Sequence, residues 1–495
     1  MLTALVFLPL VGSLLLLLLP QENKPALRGV ATFFAAVELL LSLVLLARFA
    51  PSQAEMQFVE KYAWIPSLGI SYHLGVDGVS LALVVMTALV TLLAAVASYS
   101  IQERVKLFYS LLLLLETGML GVFVALDYIL FYVFWELVLV PMYFLIGIWG
   151  GPRRQYAAIK FFIYTLAGSV IMLVGIIALY FSAGMGTFDI IELQQAGATL
   201  GSRLQWWIFL AFFLGFAVKV PIFPFHTWLP DAHVEAPTGG SMILAGVLLK
   251  MGTYGFYRIS LPTLPDGAQA FALLLATLGV INIIYGALAA MAQKDLKRMV
   301  AYSSISHMGF VMLGLAAMTP RSISGAVFVM LSHGLISPLL FFLVGSVFYE
   351  RTHTRMIDEL GGLYNKMPLA SVVMAFGIFA NLGLPGLSGF VGEFATLLGS
   401  FDVFRTLVIV GSLGLIITAA YHLWMMQRVL MGEASSAGGL GKLPDINRRE
   451  LLVAVPLMAL VLFLGVYPAP TFELFNTAVL RLQNLMQLAS LGGGI

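Results

Sequence analysis

Apolar stretches of about 20 residues, each long enough to cross the hydrocarbon core of a bilayer, recur fourteen times along this 495-residue chain. They fall at 2–19, 27–49, 78–99, 105–126, 127–148, 157–182, 206–229, 239–259, 268–291, 299–318, 322–348, 368–398, 403–431 and 451–467. No other feature restricts the fold as much. In lipid a backbone has no water to bond to, so segments of this length must satisfy their own N–H and C=O groups as helices. Only 10% of residues are charged and 60% are hydrophobic, whereas soluble domains are about 25% charged. The expected fold is therefore an all-α polytopic membrane protein. The first stretch lacks a basic lead and a small-residue cleavage site, so it is read as a retained span and not as a signal peptide.

The segments between the spans set the topology. Spans four and five meet near Asp127 with almost no loop, which predicts a tight hairpin. The longest polar insertion is 50–77, and 432–450 reads as a flexible loop of Gly, Ser and charge. With the N-terminus outside, sixteen Lys and Arg lie in cytoplasmic loops and seven on the other face, the bias expected of a membrane protein. Both termini are then outside. Beyond Pro470, Phe472, Phe475, Val479, Leu482 and Leu485 recur at helical spacing, which predicts an amphipathic helix lying on the membrane or on a neighbouring subunit. The formal net charge of +2 does not argue for or against an anionic partner. There is no cysteine, which excludes disulfides, thiolate zinc sites, iron–sulfur clusters and c-type haem attachment.

Two spans are interrupted. In FAVKVPIFPFHTWLPDAH (216–233), Lys219 lies deep in an apolar helix, and Pro221 and Pro224 then break it. Proline has no N–H for the carbonyl four residues back, so the breaks are expected to free the oxygens of Ala217 and Val220. Irregular backbone at membrane depth is tolerated where it faces protein or a water-filled cavity. The alternative is a proline kink with a snorkelling lysine, but Lys219 lies too deep for that. In NLGLPGLSGFVGEF (381–394), Gly383, Pro385, Gly386 and Gly389 interrupt a second helix, with Glu393 just beyond. The two breaks are five spans apart. An odd offset gives the two units opposite orientations, the pattern of inverted repeats in transporters, whose paired broken helices mark an ion site. The expected division is spans one to three (1–104), a first five-span unit (105–259), a second (268–431), and the last span with the C-terminal helix (451–495).

Four ionisable residues lie within spans or at a break: Glu136, Lys219, Lys250 and Glu393. Each costs about 2.5–3.5 kcal/mol in a membrane-inserted helix, so pairing is expected. A Glu–Lys pair of variable spacing can hold or release a proton; a static pair that only fixes packing is the competing reading. His307, in YSSISHMG, and His333, in LSHGLISPLL, bring imidazoles into neighbouring spans, where they could relay protons near neutral pH. Core histidines bonded to hydroxyls, or a bis-histidine haem site, remain alternatives. His226, Asp231, His233 and Glu235 resemble a metal cluster, but Pro230 and an interfacial position favour capping and loop closure. Asp295 is placed to cap a helix. Gly438, Gly439 and Gly441 before Lys442 do not make a phosphate loop. Glu38 and Glu116 belong to the polar line or to its margin.

These motifs, with YAAIKFFIYTLAGS, DLKRMVAYSSISHMGF and FYVFWELVLVPMYFLIGIWGG, resemble the antiporter-like M (chain 4) subunits of proton-pumping NADH–quinone oxidoreductase, complex I. The resemblance runs from about 70 to 465. It implies fourteen helices, two inverted five-helix repeats and a proton channel. By it, Glu136 tunes the channel lysine Lys219, Lys250 is the central relay, His307 and His333 are onward relays, and Glu393 is the distal terminal group. It also implies that this chain binds no cofactor or metal, with FMN or iron–sulfur clusters and quinone on other subunits. The expected partners are neighbouring antiporter-like subunits, lipid and protons, with no nucleic acid. The expected location is a bacterial plasma membrane or a thylakoid membrane. A cation/proton antiporter subunit and a membrane-bound hydrogenase subunit are the related alternatives.

Overall fold

A computed structural model of the chain describes residues 1–432 and 443–492. Gly438, Gly439, Gly441 and Lys442 of the 432–450 loop, and the terminal residues 493–495, lie outside the described residues. The N-terminal part contains α1 (Leu2–Leu18), α2 (Lys24–Arg48), β1 (Gln57–Ile65), β2 (Ile70–Val76), α3 (Gly78–Ala97), α4 (Val105–Val124), α5 (Tyr128–Leu137) and α6 (Leu139–Trp149). There follow α7 (Arg154–Ala183), α8 (Ile190–Ala198), α9 (Ser202–Lys219), α10 (Trp228–Glu235), α11 (Thr238–Ile243), α12 (Leu249–Gly255) and α13 (Leu261–Thr263). The second half holds α14 (Pro265–Met291), α15 (Leu296–Ala317), α16 (Pro320–Phe342), α17 (Glu350–Thr352), α18 (Leu363–Lys366), α19 (Pro368–Asn381) and α20 (Ser388–Ser400). The chain closes with α21 (Arg405–Val429), α22 (Arg448–Val466) and α23 (Ala469–Gly492).

Among the described residues, ten helical stretches are long and apolar enough to cross a membrane. The other expected spans fall on the shorter α1 and on helices divided by a break or by π turns: α9–α10, α11–α13 and α19–α20. Helix starts follow from local chemistry. Asp77, Asp127, Asp189 and Asp295 each accept hydrogen bonds from the first free N–H groups of α3, α5, α8 and α15. Thr319 and Asn447 form capping boxes with Ser322 and Glu450 at α16 and α22. Such side chains replace partners that the first helical turn cannot supply.

The expected helical fold holds, with one local departure. The polar insertion folds as an antiparallel β1–β2 hairpin, with Tyr62 opposite Tyr72. Its aromatic and β-branched residues suit a pleated, half-buried surface. The hairpin is anchored to its neighbours: Lys61 Nζ donates to Asp189 Oδ2 at 2.7 Å, and the Ser71 N–H donates to Asp127 Oδ2 at 2.9 Å. His73 Nδ1 also meets Asp189 Oδ2 at 2.7 Å. Burial alone would raise the Asp189 carboxyl, but these two basic partners outweigh it and hold it down at about 2. A second departure is in span five, where α5 gives way to α6 at Val138. Pro141, which cannot donate to the carbonyl four residues back, lies one turn beyond Glu136.

Candidate functional site

Lys219 is the last residue of α9 and only 1% exposed. Its Nζ has no hydrogen-bond partner among the described residues and lies 4.9 Å from the centre of the Trp135 ring. Among the described residues no carboxylate lies within 4.0 Å of this ammonium, so Glu136 and Lys219 make no direct salt bridge. Glu136, next to Trp135 in sequence, is half-buried at the end of α5, with Oε1 unpartnered among the described residues. The aromatic face supplies a cation–π contact in place of a hydrogen bond. Trp135 was legible only as the neighbour of Glu136.

The break after Lys219 is braced in a way the proline argument misses. Ala217 O is not free, because it accepts from Ile222 N at 2.8 Å. Asn282, fully buried in α14, supplies two further bonds: Oδ1 accepts from Phe223 N at 2.8 Å, and Nδ2 donates to Pro221 O at 3.1 Å. Trp228 Nε1 donates to Val218 O at 2.8 Å. A lone Asn in the apolar run GVINIIYG was the available signal for the first of these braces.

Lys250, the second residue of α12, is fully buried between π turns at 244–248 and 256–260. Its Nζ donates to Ala245 O at 2.6 Å and meets His333 Nδ1 at 2.7 Å. With the ammonium as donor, the ring proton of neutral His333 sits on Nε2, which has no partner among the described residues. The His307 ring lies 5.5 Å from that of His333, centre to centre. His307 Nδ1 meets Glu393 Oε1 at 2.6 Å, and its Nε2 is likewise buried and unpartnered. Lys250, His333, His307 and Glu393 therefore form one line through the protein core. A cavity lined by His307, Ser332, His333, Asn381, Gly389 and Glu393 sits where the two rings meet.

Glu393 is in the second turn of α20, beyond the interruption at 382–387. Gly383 and Gly386 have φ of +80° and +95°, which disfavour side chains with a Cβ. A Cβ on Gly383 would lie 3.4 Å from Glu393 Oε2. Asn381 closes α19 by contacting His422 Nε2 at 3.0 Å and donating to Ser303 Oγ at 3.4 Å.

The four residues once open to a metal reading are otherwise engaged or separated. Asp231 pairs with Lys160 at 2.7 Å and Arg298 at 2.9 Å. Glu235 accepts from the Arg153 N–H at 2.9 Å, while His233 stacks on Phe341 with 4.3 Å between ring centres. His226 meets the Tyr285 hydroxyl at 3.1 Å.

Residues 125–418 match the family described as "NADH:quinone oxidoreductase/Mrp antiporter, TM". NADH-quinone oxidoreductase subunit M of Rhodobacter capsulatus is 46% identical, over 97% of this chain and 96% of that protein. In the structure of respiratory complex I from Thermus thermophilus with bound NADH, one chain superposes with a TM-score of 0.89 and 32% identity. That match covers 98% of this chain and all of that one. A chain of the Mrp complex from Dietzia sp. DQ12-45-1b shares the fold, with a TM-score of 0.84, 21% identity and 99% of each chain covered.

Proposed function

This chain belongs to the subunit M (chain 4) family of NADH-quinone oxidoreductase, and we propose that it conducts protons along Glu136, Lys219, Lys250, His333, His307 and Glu393 without carrying electrons. It is a proton-translocating, antiporter-like membrane subunit of a multi-subunit complex. The observation that carries the proposed path is the pair of hydrogen bonds flanking the histidines, 2.7 Å from Lys250 to His333 and 2.6 Å from His307 to Glu393.

The chemistry follows from the ring atoms. A proton given by Lys250 enters His333 at Nδ1, and the ring then releases the one on Nε2. That proton crosses to His307 at Nε2, and His307 passes its Nδ1 proton to Glu393. Each imidazole thus accepts at one nitrogen while donating from the other. Lys219 stands at the head of this line. Its ammonium has only a ring face and the field of Glu136, so the separation of Glu136 from Lys219 decides how well the charge is held. A partner subunit that moves α5 would change that separation.

The proposal also reads the helices as fourteen crossings, with 1–104 and 451–495 flanking two inverted five-helix units, 105–259 and 268–431. The matching positions of the breaks after Lys219 and before Glu393 support this reading. Electron transfer, with its FMN or iron–sulfur clusters and quinone, is assigned to other subunits. A chain without cysteine suits that division. Neighbouring antiporter-like subunits are the expected contacts.

Protons moved per electron, measured in membrane vesicles holding the assembled complex, test the path. Lys219→Ala and Glu393→Gln should each assemble and still support quinone reduction while pumping falls sharply. Unchanged proton-to-electron ratios in both variants would refute it.

A further inference from the structure

Away from the Lys–His–Glu line, the N-terminal helices bury two carboxyl groups that it does not use. Glu38 lies within α2 and Glu116 within α4, and both side chains are fully buried. The two helices pack against each other and both contact α1 and α3. Counting 1.5 Å per residue, Glu38 lies about 15 Å and Glu116 about 12 Å from the outer ends of their helices, so the two groups are at similar depth.

Among the described residues, none of the four carboxyl oxygens has a hydrogen-bond partner. No cation can serve from the helices packed on both, because α1 and α3 contain no Asp, Glu, Lys, Arg or His. Further out, α4 meets α5, α6 and α12. These carry Tyr128, Tyr132, Glu136, Tyr143, Lys250 and Tyr254, and β2, which α4 also meets, carries Tyr72 and His73; among the described residues none of them hydrogen-bonds to either carboxyl. On α3, which packs on both helices, the buried Thr91 Oγ1 is also unpartnered among the described residues. Thr87, one turn earlier, returns its hydroxyl to Leu83 O at 2.7 Å.

Two carboxylates in one apolar setting, without a cation or donor, repel each other and cannot both stay ionised. We propose that Glu38 and Glu116 form a second proton-binding site, a carboxyl pair that holds at least one proton, lateral to the Lys–His–Glu line. Glu116 lies on α4, which also packs on α12, the helix of Lys250. The site is thus built into the element joining the N-terminal helices to the line. It does not depend on the line's being the conducting path, since the pair is defined by its own burial and lack of partners.

The test is pH-difference infrared spectroscopy on the assembled complex, comparing wild type with Glu38→Gln, Glu116→Gln and the double replacement. Glutamine is a neutral near-isostere of a protonated glutamate, so all three variants should assemble at wild-type level. The wild type should show a protonated-carboxyl C=O band that gives way to carboxylate as pH rises, and the double variant should lack it. If the double variant fails to assemble, the single variants decide: each must still assemble and show an altered carboxyl band. Superimposable spectra for wild type and variants, or carboxylate bands alone in the wild type at neutral pH, would overturn the proposal. So would loss of assembly in both single variants, because the site would then need a charge that glutamine cannot supply.

Discussion

Replacing Asn282 should damage the protein more than any sequence feature around it suggests. Its amide bridges two backbone groups of the broken segment, Phe223 N–H and Pro221 C=O, and it is fully buried. Asn282→Leu keeps the volume but strands both groups. A buried donor or acceptor left without a partner costs about 1–3 kcal/mol, so the two together weaken the native break by about 2–6 kcal/mol. With a tenfold change for each 1.4 kcal/mol, even about 2 kcal/mol raises a competing local geometry about 30-fold. Lys219 is two residues before Pro221, so the error falls on the ammonium and its place over Trp135. Asn282→Asp retains an acceptor for Phe223 N–H and loses the donor to Pro221 O, so part of the effect should remain. The assay is assembly of the complex, followed by protons pumped per electron. We expect Asn282→Leu to assemble in reduced amount and pump poorly, with Asn282→Asp less affected. Wild-type assembly and pumping in Asn282→Leu would refute the bracing role, as would equal harm from both variants.

Two further outcomes follow from buried charge. Arg258 pairs with Asp77, the α3 cap, and also donates to the Tyr254 hydroxyl at 3.0 Å; removing one partner of such a pair costs about 3–5 kcal/mol. Arg258→Met should therefore lower the thermal stability of the assembled complex by several degrees, and Asp77→Asn with Arg258→Met should recover part of it; an unchanged melting temperature in the single variant would count against the pair. Beside the β1–β2 hairpin, Asp189 is held at about 2 by His73 and Lys61, below the usual value of about 3.9. Its contribution is present above about pH 4 and is lost as pH falls toward 2. Pepsin cleavage of the β1–β2 hairpin should accordingly rise across that window in wild type, while Asp189→Asn is cleaved readily throughout it; identical profiles would exclude Asp189 as the anchor.

Hydropathy alone identified a helical membrane protein. It did so because leaving water is a property of each segment, and backbone groups in lipid admit few solutions. The two broken helices were legible too. Pro221 and Pro224 cannot continue a regular hydrogen-bond ladder, and Gly383 and Gly386 permit backbone that other residues resist. The residues of the candidate line were visible as charges and imidazoles where lipid makes them costly. Their contacts were not. His333 meets Lys250 across 83 residues and His307 meets Glu393 across 86, pairings that depend on how each helix is rotated when packed. Packing also decided that Lys219 faces Trp135 with no carboxylate within reach, and that Asn282 reaches back 59 residues to brace the break. The π turns around Lys250 and the β1–β2 hairpin belong to the same class. An i to i+5 turn or a strand pairing forms only when neighbouring surfaces repay the lost local preference, and those surfaces exist only in the folded chain.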